Sequence, residues 1–101
     1  MSTLMILRAK GDPTALEKYS ADHPEVLAGI IEKAKSHGVL RHRFFGGDGE
    51  IIVVDEWPDQ ASFQRFFDAS PEIAEMMASI GVTAPPDITF ATEMSMGDNV
   101  G

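Results

Sequence analysis

The segment that most narrows the folds open to this chain is residues 39–57, where two apolar runs flank Gly46-Gly47-Asp48-Gly49. Strand-like runs around a glycine-rich turn read as a β-hairpin, because glycine supplies the backbone angles that tight turns need. A two-residue loop, Gly47 and Asp48, and a four-residue loop over 46–49 give the same register. Phe45 then faces Glu50, Phe44 faces Ile51 and His42 faces Val53. Side chains alternate with period 2, so Leu40, His42 and Phe44 share a face with Ile51, Val53, Asp55 and Trp57. On that register His42 and Asp55 are diagonal neighbours, within reach of each other. The turn joins two strands and opens no helix, so its glycines do not form a phosphate cradle.

The rest of the chain supplies partners for this hairpin. Residues 3–9 are a short apolar run closed by Lys10-Gly11-Asp12-Pro13, a strand followed by a helix start with Asp12 as N-cap and Pro13 at the first helical position. Residues 15–36 are helical in pattern, with Leu27, Ile30, Ile31 and Ala34 spaced as a buried stripe. His23-Pro24 interrupts them, so a kink or two helices are expected, with Pro24 opening the second. His37-Gly38 ends the helix, and His37 in its last turn complements the helix dipole. Pro58-Asp59 opens a further helix with Phe63, Phe66 and Phe67 on one face, and Ser70-Pro71 restarts it, with Ser70 as the expected N-cap. Residues 81–87 read as a loop, 88–94 as a last strand and 97–101 as a flexible tail.

The order strand, helix, strand, strand, helix, strand predicts a single α+β domain over residues 1–96. It is a ferredoxin-like βαββαβ unit, with a four-stranded antiparallel sheet and its helices on one face. The opposite face would carry Leu4, Ile6, Ile52 and Val54, and an apolar sheet face left in water is a liability. A homodimer that buries it is the expected solution. Arg41 and Arg43 point to that side or its rim, where Glu56 is the natural partner.

Composition removes several classes of function. The net charge of −8 opposes docking on nucleic acid or on an anionic membrane surface. The chain has no cysteine, hence neither a disulfide framework nor a thiolate site, which fits a cytoplasmic protein. No stretch approaches the roughly 20 apolar residues of a membrane span. The three histidines, at 23, 37 and 42, match no metal-ligand spacing, so no metal is expected.

The candidate chemistry therefore lies on the hairpin. A carboxylate beside an imidazole fixes its tautomer and suits it to act as a general base, the role open to His42 with Asp55. Trp57, with Tyr19, Phe63 and Phe67, is suited to line an apolar cavity for a small apolar or aromatic ligand, and His23 to reach over its mouth. The bland alternative is that His42 packs against Val53 and the aromatic residues are core.

The segment Gly49-Glu-Ile-Ile-Val-Val-Asp-Glu-Trp57, followed by Pro-Asp-Gln-Ala-Ser-Phe-Gln-Arg-Phe-Phe67, resembles the third strand and second helix of the dimeric α/β-barrel superfamily. That superfamily includes the antibiotic-biosynthesis monooxygenase-like proteins. The resemblance implies a homodimer whose sheets face each other, with a ligand cavity between sheet and helices in each subunit. It implies a cofactor-independent monooxygenase-like enzyme acting on a small aromatic or polyketide-type substrate, with no cofactor, and Trp57 matches a pocket tryptophan of the oxygenases. A cyclase or isomerase on the same fold, or a non-enzymatic ligand-binding or structural homodimer, are the alternatives. The haem-degrading branch uses an Asn on the first strand and a His on the second helix; this chain has neither, which disfavours haem degradation.

Overall fold

The computed structural model describes residues 1–100; of the tail expected over 97–101, Gly101 lies outside the described residues. The elements are β1 (Thr3–Lys10), α1 (Pro13–Asp22), α2 (Pro24–Ser36), β2 (Arg41–Gly47), β3 (Glu50–Trp57), α3 (Gln60–Asp68), α4 (Pro71–Ser79) and β4 (Asp87–Thr92). The strands form one antiparallel sheet in the order β2-β3-β1-β4, the expected ferredoxin-like α+β arrangement. No helix among the described residues is long and apolar enough to cross a membrane.

Local chemistry sets the helix boundaries. Asp12 accepts from the backbone N–H of Thr14 at 2.9 Å, and prolines stand at the starts of α1, α2 and α4, where a missing N–H costs nothing. Asp59 caps α3, accepting from the backbone N–H and the hydroxyl of Ser62 at 2.7 and 2.8 Å. The Ser62 hydroxyl first, and its backbone N–H second, hold the Asp59 carboxyl below the usual aspartate range. Ser70 is at the N-cap position of α4, but its hydroxyl donates instead to the Phe66 carbonyl at 2.7 Å, tying α4 back onto α3. Gly38, with φ 94°, closes α2.

The hairpin register differs from the expectation by two residues. The turn is Asp48-Gly49, with Gly49 at φ 70°, and Gly46 and Gly47 belong to β2. Phe45 therefore pairs with Ile52, Phe44 with Val53, and His42 with Asp55. A shift of two preserves which side chains share a face, so the predicted face survives while its pairs change. Gly46 is required here for another reason: a Cβ on it would come within 2.8 Å of the Pro13 ring at the start of α1.

The odd-numbered residues of β1 and β3 meet the helices. Met5, Leu7, Ala9, Ile51 and Trp57 are buried there with Leu16, Ile30, Phe63, Phe66 and Met76. The even-numbered residues Leu4, Ile6, Ile52 and Val54 lie on the opposite face, only partly buried, and Phe45 beside them is exposed. Salt bridges rim that face, Arg8 to Glu50 at 2.9 Å and Arg41 to Glu56 at 3.9 Å.

Candidate active site

His42 and Asp55 stand directly opposite each other on the helix-facing side of β2 and β3, which is closer than the diagonal placement expected. The imidazole Nδ1 is 2.7 Å from Asp55 Oδ1, and the Trp57 indole Nε1–H donates to Asp55 Oδ2 at 3.1 Å. Both carboxylate oxygens are thus engaged in a setting that leaves the Asp55 side chain 5% exposed. A carboxylate only accepts, so Nδ1 carries the imidazole proton and Nε2 of the neutral ring presents a lone pair. Nε2 is itself buried, with no hydrogen-bond partner among the described residues. The Phe44 ring meets the imidazole edge to face, with centroids 4.8 Å apart.

His42 and Asp55 belong to the wall of a cavity of about 470 Å³ between the sheet and the helices. That volume lies in the range of sites for small organic ligands. The sheet contributes Met5, Leu7, Val53 and the His42–Asp55 pair, and α2 contributes the whole stripe Leu27, Ile30, Ile31 and Ala34. Opposite stand Phe63, Phe66 and Phe67 of α3 and Ile73, Met76 and Met77 of α4. The cavity is not filled by its aromatic side chains: Phe63 and Phe67 stack on each other at 5.4 Å and form part of the wall.

Three residues expected at the ligand are placed elsewhere. Trp57 is fully buried and lies outside the cavity wall, packed on Phe63 and Phe66 with centroids 5.7 and 5.3 Å away. Its link to the site is the bond to Asp55, which makes it a positioning residue. Tyr19 packs against the core with its ring 4.7 Å from that of His23, and neither lines the cavity. The break at Pro24 turns His23 outward, where it is exposed and 3.9 Å from Glu25. His37 stays in the last turn of α2, its Nδ1 3.0 Å from the Lys33 carbonyl.

Sequence reasoning missed the segment between α4 and β4. Val82 to Pro86 form one side of the cavity, Val82 buried and the rest exposed. The signal was present in Pro85-Pro86, which stiffens a short loop whose Val82 and Ala84 are apolar. Phe44 was visible as a neighbour of His42, but its place in the wall depends on the helices opposite. Among the described residues no group of three or more His, Asp or Glu side chains is placed to hold a metal ion.

No protein-family model matches the sequence, and no curated protein is similar to it in sequence. Solved structures match over nearly the full chain. A putative antibiotic biosynthesis monooxygenase from Nitrosomonas europaea superposes with a TM-score of 0.66 at 9% identity, covering 94% of this chain and 92% of that one. SnoaB, a cofactor-independent oxygenase from Streptomyces nogalater, gives 0.62 at 16% identity, covering 94% and 95%. A monooxygenase from the gene ActVA-Orf6 of Streptomyces coelicolor, in complex with nanaomycin D, gives 0.62 at 18%, covering 93% and 88%. The chain has the ferredoxin-like fold of these antibiotic-biosynthesis-monooxygenase-like structures, and at such identities the likeness is one of fold.

Proposed function

We propose that the chain is a cofactor-independent, monooxygenase-like enzyme acting on a small aromatic or polyketide-type substrate, with His42 as its general base. The observation that carries this reading is the His42–Asp55 pair in the wall of an apolar cavity, with Nδ1 held by Asp55 and the buried Nε2 without a hydrogen-bond partner among the described residues. A substrate CH2 flanked by conjugated rings loses a proton to Nε2, and Asp55 balances the imidazolium that forms. The carbanion, delocalised over the rings, passes its electrons to dioxygen. One oxygen atom stays on carbon as a carbonyl and the other leaves as water, so CH2 plus O2 becomes C=O plus H2O. Phe63 and Phe67 offer ring faces for a flat substrate, and the apolar wall excludes water from the anion. The likeness to SnoaB, described as a cofactor-independent oxygenase, supports the class of reaction by analogy.

The test is oxygen uptake with anthrone, whose CH2 lies between two aromatic rings. Wild-type protein should consume oxygen and form the quinone, and His42→Ala should lower the rate about 10²–10⁴-fold. Full turnover in His42→Ala would refute the assignment. Exchange of the substrate proton with solvent deuterium, without oxygen uptake, would point instead to a cyclase or isomerase using the same base.

The reading includes a homodimer formed through the far sheet face. Its support is the partly exposed stripe of Leu4, Ile6, Ile52 and Val54 beside the exposed Phe45. Light scattering should give twice the chain mass, and Ile6→Glu should give the monomer.

A further inference from the structure

Building on the cavity as the substrate site, we infer that it accepts only uncharged substrates and rejects those carrying a carboxylate or phosphate. Among the described residues, none of those lining the cavity is Lys or Arg. Its carboxylate, Asp55, has a side chain 5% exposed, and its neighbour at 2.7 Å is the His42 imidazole rather than a Lys or Arg. The imidazole supplies no net positive charge: with Nδ1 donating to Asp55 the neutral ring leaves Nε2 a lone pair, and a protonated ring would only offset the Asp55 carboxylate. A phenol or enol O–H donates to that lone pair, whereas an anionic oxygen meets a lone pair on a lone pair. Lys33, on α2, is not free to swing in: its ammonium donates to the Glu72 carboxylate and, at 2.8 Å, to the Ala69 carbonyl. Among the described residues, the only side-chain hydroxyl in the wall is that of Thr83, on an exposed part of the loop.

Coulomb repulsion sets the size of the effect. A guest carboxylate against the His42 ring sits roughly 7 Å from Asp55, across the width of the ring and its hydrogen bond to Asp55. At an effective dielectric constant of about 20, that separation weakens binding on the order of 50-fold relative to a neutral guest of the same shape. Loss of the guest's own hydration adds to the discrimination.

Equilibrium dialysis at pH 7 with 1-naphthol, methyl 1-naphthoate and 1-naphthoate tests this on the wild-type protein. Both neutral probes should bind, 1-naphthol with its O–H donor at least as tightly as the ester, and naphthoate at least tenfold more weakly than its methyl ester. Thr83→Arg places a cation in the wall from an exposed position; it should raise the affinity for naphthoate relative to 1-naphthol several-fold. Naphthoate binding as tightly as its ester would overturn the inference while leaving the cavity reading intact. So would a folded Thr83→Arg protein with no gain for naphthoate, since exclusion would then be a matter of shape. If neither neutral probe binds, the cavity reading fails and the inference falls with it.

Discussion

Replacing Trp57 by Phe separates the indole's part in the core from its part in the site. The substitution removes the Nε1–H that donates to Asp55 Oδ2 at 3.1 Å and leaves a carboxylate oxygen buried without that donor. A hydrogen bond to a charged group contributes about 1.5–3 kcal/mol. Because the indole is fully buried, the smaller ring also leaves a void of roughly 40 Å³, which adds about 1 kcal/mol at ~24 cal/mol per Å³. The expected loss is therefore about 3 kcal/mol, or roughly 12–24 °C in Tm for a domain of this size. Urea unfolding followed by far-ultraviolet circular dichroism measures it without relying on the tryptophan being removed. Repeating the substitution in an Asp55→Asn background completes a double-mutant cycle. There the cost should shrink to about 2 kcal/mol, the void plus a neutral hydrogen bond from the indole to the amide oxygen, giving a coupling of about 1 kcal/mol. Equal costs in the two backgrounds would refute the idea that the indole holds the carboxylate, and would leave Trp57 as packing alone.

Three further outcomes follow from the same geometry. Asp55→Asn offers an amide N–H to Nδ1, which drives the imidazole proton onto Nε2 and removes the base; turnover should fall at least about 10²-fold while ligand binding by dialysis persists. Gly46→Ala forces a Cβ to within 2.8 Å of the rigid Pro13 ring, so the start of α1 must move off β2, with an expected loss of about 1–3 kcal/mol in urea unfolding; a neutral result would mean the contact is slack. The Lys33 ammonium first, and the backbone N–H of Glu72 second, hold the Glu72 carboxyl below its ordinary value of 4.5. That depressed value stabilises the fold fully above pH 4.5 and ceases to do so as pH falls through the lowered value of the folded state. Wild type should exceed Glu72→Gln in stability by no more than about 1 kcal/mol at neutral pH, with the difference vanishing in acid. A gap that widens below pH 4 would contradict the pairing.

Much of the fold was legible because its signals are local. The cap at Asp12, the helix opening at Pro58-Asp59, the break at His23-Pro24 and the alternation along β3 depend on residues a few positions apart, and each matches the structure. The face shared by His42, Asp55 and Trp57 was legible for the same reason, since period 2 survives any shift of two. Their roles were less so. From the chain alone Trp57 is as suited to a cavity wall as to a core, and the packing of Phe63 and Phe66 on its ring puts it behind the wall.

Sequence therefore sufficed for the order of elements, their ends, and the side of the sheet on which the imidazole and the carboxylate lie. The pairing of His42 with Asp55 required the tertiary structure. Gly46 and Gly47 are equally able to turn or to extend, and the close seat of Gly46 beside Pro13 is a contact with a distant part of the chain. The cavity was likewise beyond sequence reasoning. The α2 stripe has the same spacing whether it meets a core or bounds a space, and the distance to α4 and the 82–86 loop makes it bound one.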